Sequence, residues 1–459
     1  MKRKHTSYLL LISSVSALGG LLFGYDWVVI GGAKLFYEPF FGLEQSAALR
    51  GWAMSSALTG CLAGAVSAGV WSDRYGRKKM LIVASVLFTV SAIGTGAVDT
   101  FAWFIAYRIL GGFGIGIASN VSPMYIAEVS PASVRGKFVS LNQLTIVTGI
   151  LLAQGTNWFI GELYTPGGEM LTAAGIRYAW RWMFWMETLP AVLFFALAFV
   201  IPESPRWLLV RQQSRQEQAF RIFVRIGGPT YAREAVTEIN ATKETTVVRQ
   251  RHSLFAPGIR KAVSIGVVLA VFQQWCGINV LFNYAHELFS AAGYAVSGVL
   301  TNIVITGIAN VLFTLIALYT VDRWGRRALL LTGALGLALL YLLLGAGYYR
   351  GLGGWPMLAG MVLAIACYAM TLAPVIWVVL SEIFPTRIRG AAMATATFFL
   401  WTASFLLIYT FPFLNEKLGA AGTYWIYGVI CLAAFLFIYR RLPETKGKSL
   451  EEIEEAFTK

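Results

Sequence analysis

The sequence predicts an all-α membrane protein: twelve transmembrane helices in two pseudo-symmetric six-helix bundles, with short cytoplasmic helices between them. Three observations lead there. Of the 459 residues 57% are hydrophobic and only 13% charged, more apolar than a soluble core of this length needs. Apolar stretches of about twenty residues recur from end to end, each able to cross roughly 30 Å of hydrocarbon at 1.5 Å per residue. Loop motifs of the first half return in the second.

The spans fall near 7–31, 51–71, 80–98, 102–124, 138–160, 182–201, 262–290, 298–320, 328–348, 357–381, 391–413 and 422–440. The start, Met1-Lys2-Arg3-Lys4 before an apolar run, imitates a secretory signal, but the run is too long and no A-x-A-like site follows, so it reads as a retained first helix. Six spans make an N-terminal bundle over 1–202 and six a C-terminal bundle over 262–441. The polar stretch 203–261 joins them as a helical linker, and 442–459 form a tail.

The net charge of +14 would suggest nucleic acid in a soluble chain. Its distribution excludes that reading. With the N-terminus inside, 30 of the 37 Lys and Arg lie in inner segments, counting Arg440 at the inner end of the twelfth span, six in outer ones, and Arg108 within a span. That is the positive-inside asymmetry, and it puts both termini in the cytoplasm. Cys61, Cys276, Cys367 and Cys431 all fall inside spans as packing residues. His5, His252 and His286 are scattered with no partner at ligand spacing, so neither a metal nor another cofactor is expected.

Asp73-Arg74-Tyr75-Gly76-Arg77 after span two returns as Asp322-Arg323-Trp324-Gly325-Arg326 after span eight. Glu128, Pro131, Arg135 and Gly136 after span four return as Glu382, Pro385, Arg389 and Gly390 after span ten. Two homologous bundles flanking a mid-depth cavity are an architecture for moving solutes by alternating access. Topology anchoring needs only bases. The interleaved acids Asp73, Glu128, Asp322 and Glu382 point instead to a cytoplasmic gate in which charges pair in one state and separate in another.

Within the spans Asp26, Arg108 and Glu187 share one depth, each five or six residues from the outer end of its helix by the span limits above. Such charges must pair. Two acids share one base, and a surplus buried carboxylate is best accommodated by binding a proton. The span amides are Gln143, Gln154, Gln273, Gln274, Asn279, Asn283 and Asn310. Asn279 follows Gln274 by five residues, about 140° around an ideal helix. For both to face one ligand the helix must bend or unwind at Gly277. Interhelical hydrogen bonding, about 1 kcal/mol each, is the alternative use of these amides. Gly112-x-Gly114-x-Gly116 lies inside a span without a preceding strand and fits close helix packing, not a dinucleotide loop. Asn240-Ala241-Thr242 is a glycosylation sequon on the inner side, where it is inert.

Nearly the whole chain resembles the sugar porter family of the major facilitator superfamily. The resemblance rests on Gly20-Leu21-Leu22-Phe23-Gly24-Tyr25-Asp26, Asp73 to Arg77, Tyr107-Arg108, Pro123 to Glu128 and Pro202-Glu203-Ser204-Pro205-Arg206-Trp207. Gln273-Gln274-x-x-Gly277-Ile278-Asn279, Asp322 to Arg327 and Pro443-Glu444-Thr445-Lys446-Gly447 complete it. The look is closest to bacterial proton-coupled xylose symporters. It implies a monosaccharide transporter in the bacterial inner membrane, working as a monomer on a sugar and protons, and not an enzyme.

By that resemblance Gln143, Gln273, Gln274, Asn279 and Asn310 contact the sugar, while Trp377 and Trp401 cover it or close over it. Amides suit hydroxyls because they donate and accept, and a flat ring suits the C–H face of a pyranose. Glu203, Arg206 and Glu444 join the gate. Asp26 and Arg108 couple protonation to the conformational switch, with Glu187 tuning it. Facilitative members replace that Asp, so its presence favours symport over uniport. A proton crossing roughly 150 mV supplies about 3.5 kcal/mol. A carrier-like sensor would carry long cytoplasmic tails, which this chain lacks. Two positions depart from the family pattern: Leu400 stands where an amide is usual, and Asn283, where Tyr is common, offers a new hydroxyl contact.

Overall fold

The computed structural model describes residues 3–131, 134–165, 172–212, 215–246, 257–384 and 389–446. Among them all regular structure is helical. Five long helices open the chain: α1 (Arg3–Phe41), α2 (Ala47–Tyr75), α3 (Arg77–Ala97), α4 (Phe101–Val129) and α5 (Arg135–Tyr164). The sixth crossing is α6 (Ala173–Trp185) and α7 (Thr188–Ala198), parted at Met186 and Glu187. The linker forms α8 (Pro205–Arg211), α9 (Gln216–Gly227) and α10 (Pro229–Thr246); its residues 247–256 lie outside the described ones.

The seventh crossing is in three pieces, α11 (Pro257–Trp275), α12 (Ile278–Asn283) and α13 (Ala285–Ala291). After α14 (Val296–Trp324) and α15 (Arg326–Tyr349), the tenth is α16 (Trp355–Met370) and α17 (Leu372–Ile383). The last helix, α18 (Arg389–Arg441), holds two crossings joined at Gly419, whose φ of 64° no helix interior adopts. Twelve crossings result, as the hydropathy predicts. Several boundaries move. Helix α1 runs ten residues past the expected end at 31, because Lys34 and Glu38 pair i to i+4 at 3.4 Å and stay inside.

Small residues let the helices close up. Any Cβ on Gly60 or Gly112 would overlap the carbonyl of Ile109 or Ala57, which locks α2 against α4. Gly24 and Gly149 do the same for α1 and α5 against Ile146 and Leu21. Lipid tails are as apolar as Leu, so helices associate here through close backbone approach more than through burial of grease. Linker helix α9 is amphipathic, burying Ala219, Ile222, Phe223 and Ile226. It docks on the start of α1, where the Arg225 guanidinium lies 4.3 Å from the Tyr8 ring.

Both described chain ends and the linker lie on one face, the basic face. Contacts between the halves concentrate toward the opposite face. Helix α2 meets α18 where Gly51 abuts the Tyr409 carbonyl and Trp52 lies 6.3 Å from Phe405. Helix α5 meets α14 where Gly161 abuts Leu300. The start of α1 at the basic face touches the linker instead.

Gly112→Val is expected to lower the thermal stability of the detergent-solubilised protein by about 1–3 kcal/mol, as overpacked cores do. An unchanged melting temperature would show that α2 and α4 do not depend on this approach.

Candidate translocation site

Asp26 and Arg108 are 1% and 2% exposed, and Glu187 is 2% exposed. Arg108 Nη1 makes an ion pair with Asp26 Oδ1, and Nη2 donates to the Asp26 backbone oxygen at 3.3 Å. The guanidinium stands 5.3 Å from the Phe184 ring. Asp26 Oδ2 and Arg108 Nε have no protein partner. Gly111, one turn from Arg108, leaves room for Oδ2, since a Cβ there would lie 2.8 Å from it. Glu187 sits at the break between α6 and α7, within electrostatic range of both charges. Three ionisable groups therefore lie in one buried region, with two carboxylates against one guanidinium.

The span-seven helix breaks at Gly277, which adopts φ 83° with Tyr427 packed against it. The break turns Asn279 back toward Gln274, so that Asn279 Nδ2 donates to Gln274 Oε1 at 2.5 Å. Gln273 Nε2 donates at 3.4 Å to the carbonyls of Leu372 and Ala373, where α16 gives way to α17, and its Oε1 is unpartnered. Asn283 Nδ2 donates to the Asn279 carbonyl at 3.0 Å. Asn310 on α14 is buried and Gln143 on α5 is partly exposed. Trp401 is buried with its Nε1–H unpartnered, whereas Trp377 is 38% exposed. Both amide atoms of Gln154 are unpartnered against Gly307, at the junction of α5 and α14.

The gate motifs form two matching charge clusters. In the first half Arg77 pairs with Glu128 at 2.9 Å and with Asp73 at 3.1 Å. Glu203 accepts from the backbone N–H groups of Arg77 and Lys78 at 2.9 and 3.0 Å, and Ser204 Oγ donates to Glu128 at 2.5 Å. In the second half Arg326 pairs with Glu382 at 3.3 Å, Glu444 accepts from the N–H groups of Arg326 and Arg327, and Thr445 Oγ1 donates to Glu382 at 2.6 Å. Glu203-Ser204 and Glu444-Thr445 are thus a third duplicated element, seen only when the halves are compared in space.

Burial pushes the Glu203 carboxyl up against its backbone donors. Burial also acts upward on Glu444, but four backbone N–H groups together hold it below the usual range. Each described ion pair of these motifs stays within one half or joins the linker, as in Arg211 to Asp73 at 3.8 Å. Arg74 lies over the Tyr75 ring at 5.3 Å, and the Arg323 carbonyl accepts from Lys446. Arg135 and Arg206 lie near the linker residue Tyr231. The side chains of Asp322 and Arg389 lie outside the described residues.

Several groups escape a linear reading. Lys34, allotted to an outer loop by hydropathy, is buried, pairs with Glu287 of α13 and stands 4.4 Å from the Tyr284 ring. Arg50 pairs with Glu416 of α18. Both pairs bridge the halves at the face opposite the basic one. The i,i+4 pair Lys34 and Glu38 in a run apolar to Phe41 was the available signal. Asn157 Nδ2 donates to the Val29 carbonyl at 3.0 Å, and Asn142 Oδ1 is buried and unpartnered. Trp27 lines a cavity with Arg108 and Asn283.

A twelve-crossing membrane protein with duplicated halves, a buried charge triad and neighbouring amides has the architecture of a secondary transporter of the major facilitator type. The chain matches the family described as "Sugar (and other) transporter" over residues 12–457, and it belongs to that family. It is 40% identical to the D-xylose-proton symporter of Escherichia coli, covering 98% of this chain and 96% of that one. It is also 40% identical to the glucose transport protein of Synechocystis, covering 98% and 97%. The fold superimposes on the inward open conformation of the xylose transporter XylE from E. coli with a TM-score of 0.86 at 39% identity, covering 98% of this chain and all of that one.

Arg108→Gln strands a buried carboxylate and is expected to cost about 3–5 kcal/mol in thermal unfolding. Adding Asp26→Asn to the same chain should recover most of the loss. A double variant no more stable than the single one would show that the two side chains do not depend on each other.

Proposed function

We propose that this protein is a proton:sugar symporter for xylose or a similar aldose such as glucose, working by alternating access. The observation that carries the reading is the unpartnered Oδ2 of Asp26, buried beside Arg108, which itself shares a cavity with Asn283 of the amide cluster. With Glu187 in range, the region holds one negative charge too many for a dry site, and a proton removes it. Protonated Asp26 loosens its hold on Arg108, and release of that pair lets α1 move relative to α4.

Gln143, Gln273, Gln274, Asn279, Asn283 and Asn310 bind the hydroxyls, and Trp377 and Trp401 take the apolar face. The unpartnered Gln273 Oε1 and Trp401 Nε1–H fit this reading, since each leaves hydrogen-bonding capacity that a sugar hydroxyl can use. Residues 1–202 and 262–441 are the two rocking bodies, 203–261 the linker and 442–459 the tail. The charge clusters of Asp73, Arg74, Arg77, Glu128, Arg135, Glu203 and Arg206, and of Asp322, Arg323, Arg326, Glu382, Arg389 and Glu444, form the gate. They brace each half in the state described and engage across the halves when the basic face closes.

The excess of Lys and Arg on the basic face assigns it to the cytoplasm of a bacterial inner membrane, with both termini inside. All the proposed site residues lie in one chain, which supports a transporter working as a monomer. Lys34 with Glu287 and Arg50 with Glu416 hold the outer face shut, in keeping with the inward open relative it resembles.

In proteoliposomes an inward pH gradient is expected to drive accumulation of labelled xylose. Asp26→Asn should abolish accumulation while exchange continues, and accumulation by that variant would sink the coupling assignment. Gln274→Ala is expected to weaken sugar affinity roughly tenfold, the size of one or two hydrogen bonds. Unchanged affinity would place the sugar elsewhere.

A further inference from the structure

Three aromatic rings bridge the halves at mid-depth. Phe23 and Trp27 are one turn apart on α1, with ring centroids 6.0 Å apart, and Trp401 of α18 lies 5.9 Å from the first and 5.8 Å from the second. The Trp401 Nε1–H is buried among them without a protein acceptor, a donor that a polar ligand at the cluster could use.

Trp27 is partly buried, and its other side walls a cavity of about 10 Å3 shared with Met54, Ala57, Arg108, Asn283 and Ile408. That is room for about one water. Its polar walls are the guanidinium of the charge triad and an amide of the broken seventh span. The indole therefore stands where the proton site and the amide cluster adjoin, and its bulk sets how much space remains between them.

We propose that Trp27 is the size-limiting wall of the sugar site, admitting a pentopyranose and excluding the hydroxymethyl arm that makes it a hexopyranose. The proposal rests on the sugar-transport reading above and narrows its substrate class to pentoses. A pentose and the hexose of the same configuration differ at C5 by that arm alone, two heavy atoms where the cavity leaves space for one. A rigid indole held between Phe23 and Trp401 cannot move aside without parting the halves. Discrimination at this point is steric, so it does not depend on the charge of Asp26.

The test is sugar counterflow in proteoliposomes without any proton gradient, comparing xylose and glucose in the wild type, Trp27→Phe and Trp27→Ala. The wild type is expected to favour xylose, and Trp27→Ala to raise the glucose to xylose ratio of kcat/KM roughly tenfold or more, the range one extra carbon commands in a pocket. Trp27→Phe should fall between and settles the matter if the Ala variant does not fold. A wild type that takes both sugars equally, or a ratio unchanged in the variants while xylose counterflow persists, overturns the role of Trp27. A wild type that moves neither sugar instead overturns the transport reading beneath it.

Discussion

Hydrocarbon offers no hydrogen bonds, so every polar group this chain carries into the membrane must find its partner inside the protein. That constraint shapes the molecule more than any single contact. The crossings are helices because helices satisfy their own backbone. Where a crossing breaks, the freed groups lie in protein. The α11–α12 break at Gly277 faces Tyr427 and the amides, the α6–α7 break carries Glu187 toward Arg108, and the α16–α17 break offers its carbonyls to Gln273. Irregular backbone and buried ionisable side chains thus lie inside the helix bundles, where other helices supply their partners.

The duplication explains the ends of the molecule as the constraint explains its middle. In each half a carboxylate from the chain leaving the bundle caps the N-terminus of a helix, Glu203 on α3 and Glu444 on α15. In each half a hydroxyl beside that acid reaches the glutamate at the end of another helix, Ser204 to Glu128 and Thr445 to Glu382. An acid at a helix N-terminus is favoured by the unpaired N–H groups there. Two equivalent braces tie these loops to their own bundles.

Closure at the opposite face has a different chemistry. There the halves meet through Lys34 with Glu287 and Arg50 with Glu416, supported by close backbone contact at Gly51. Ion pairs between bodies can be exchanged without unfolding either body, whereas the glycine-packed contacts inside a body cannot.

Linear signals determined the class, the number of crossings and the two halves, since apolar runs, basic-residue asymmetry and repeated motifs can all be read along the chain. The break at Gly277 was also legible, because Gln274 and Asn279 cannot share a face of a straight helix. So was the meeting of Asp26 and Arg108, from a common depth. Other features were not. Lys34 reads as a loop residue until the fold supplies Glu287 from 253 residues away. The equivalence of Glu203-Ser204 with Glu444-Thr445 emerges from position, since only three residues of sequence carry it. Trp27 reads as one of fifteen tryptophans until Trp401, Arg108 and Asn283 are placed around it. Periodicity and composition report what each helix needs from its surroundings. Which side chain from a distant helix meets that need depends on how the halves pack, and that only the tertiary structure decides.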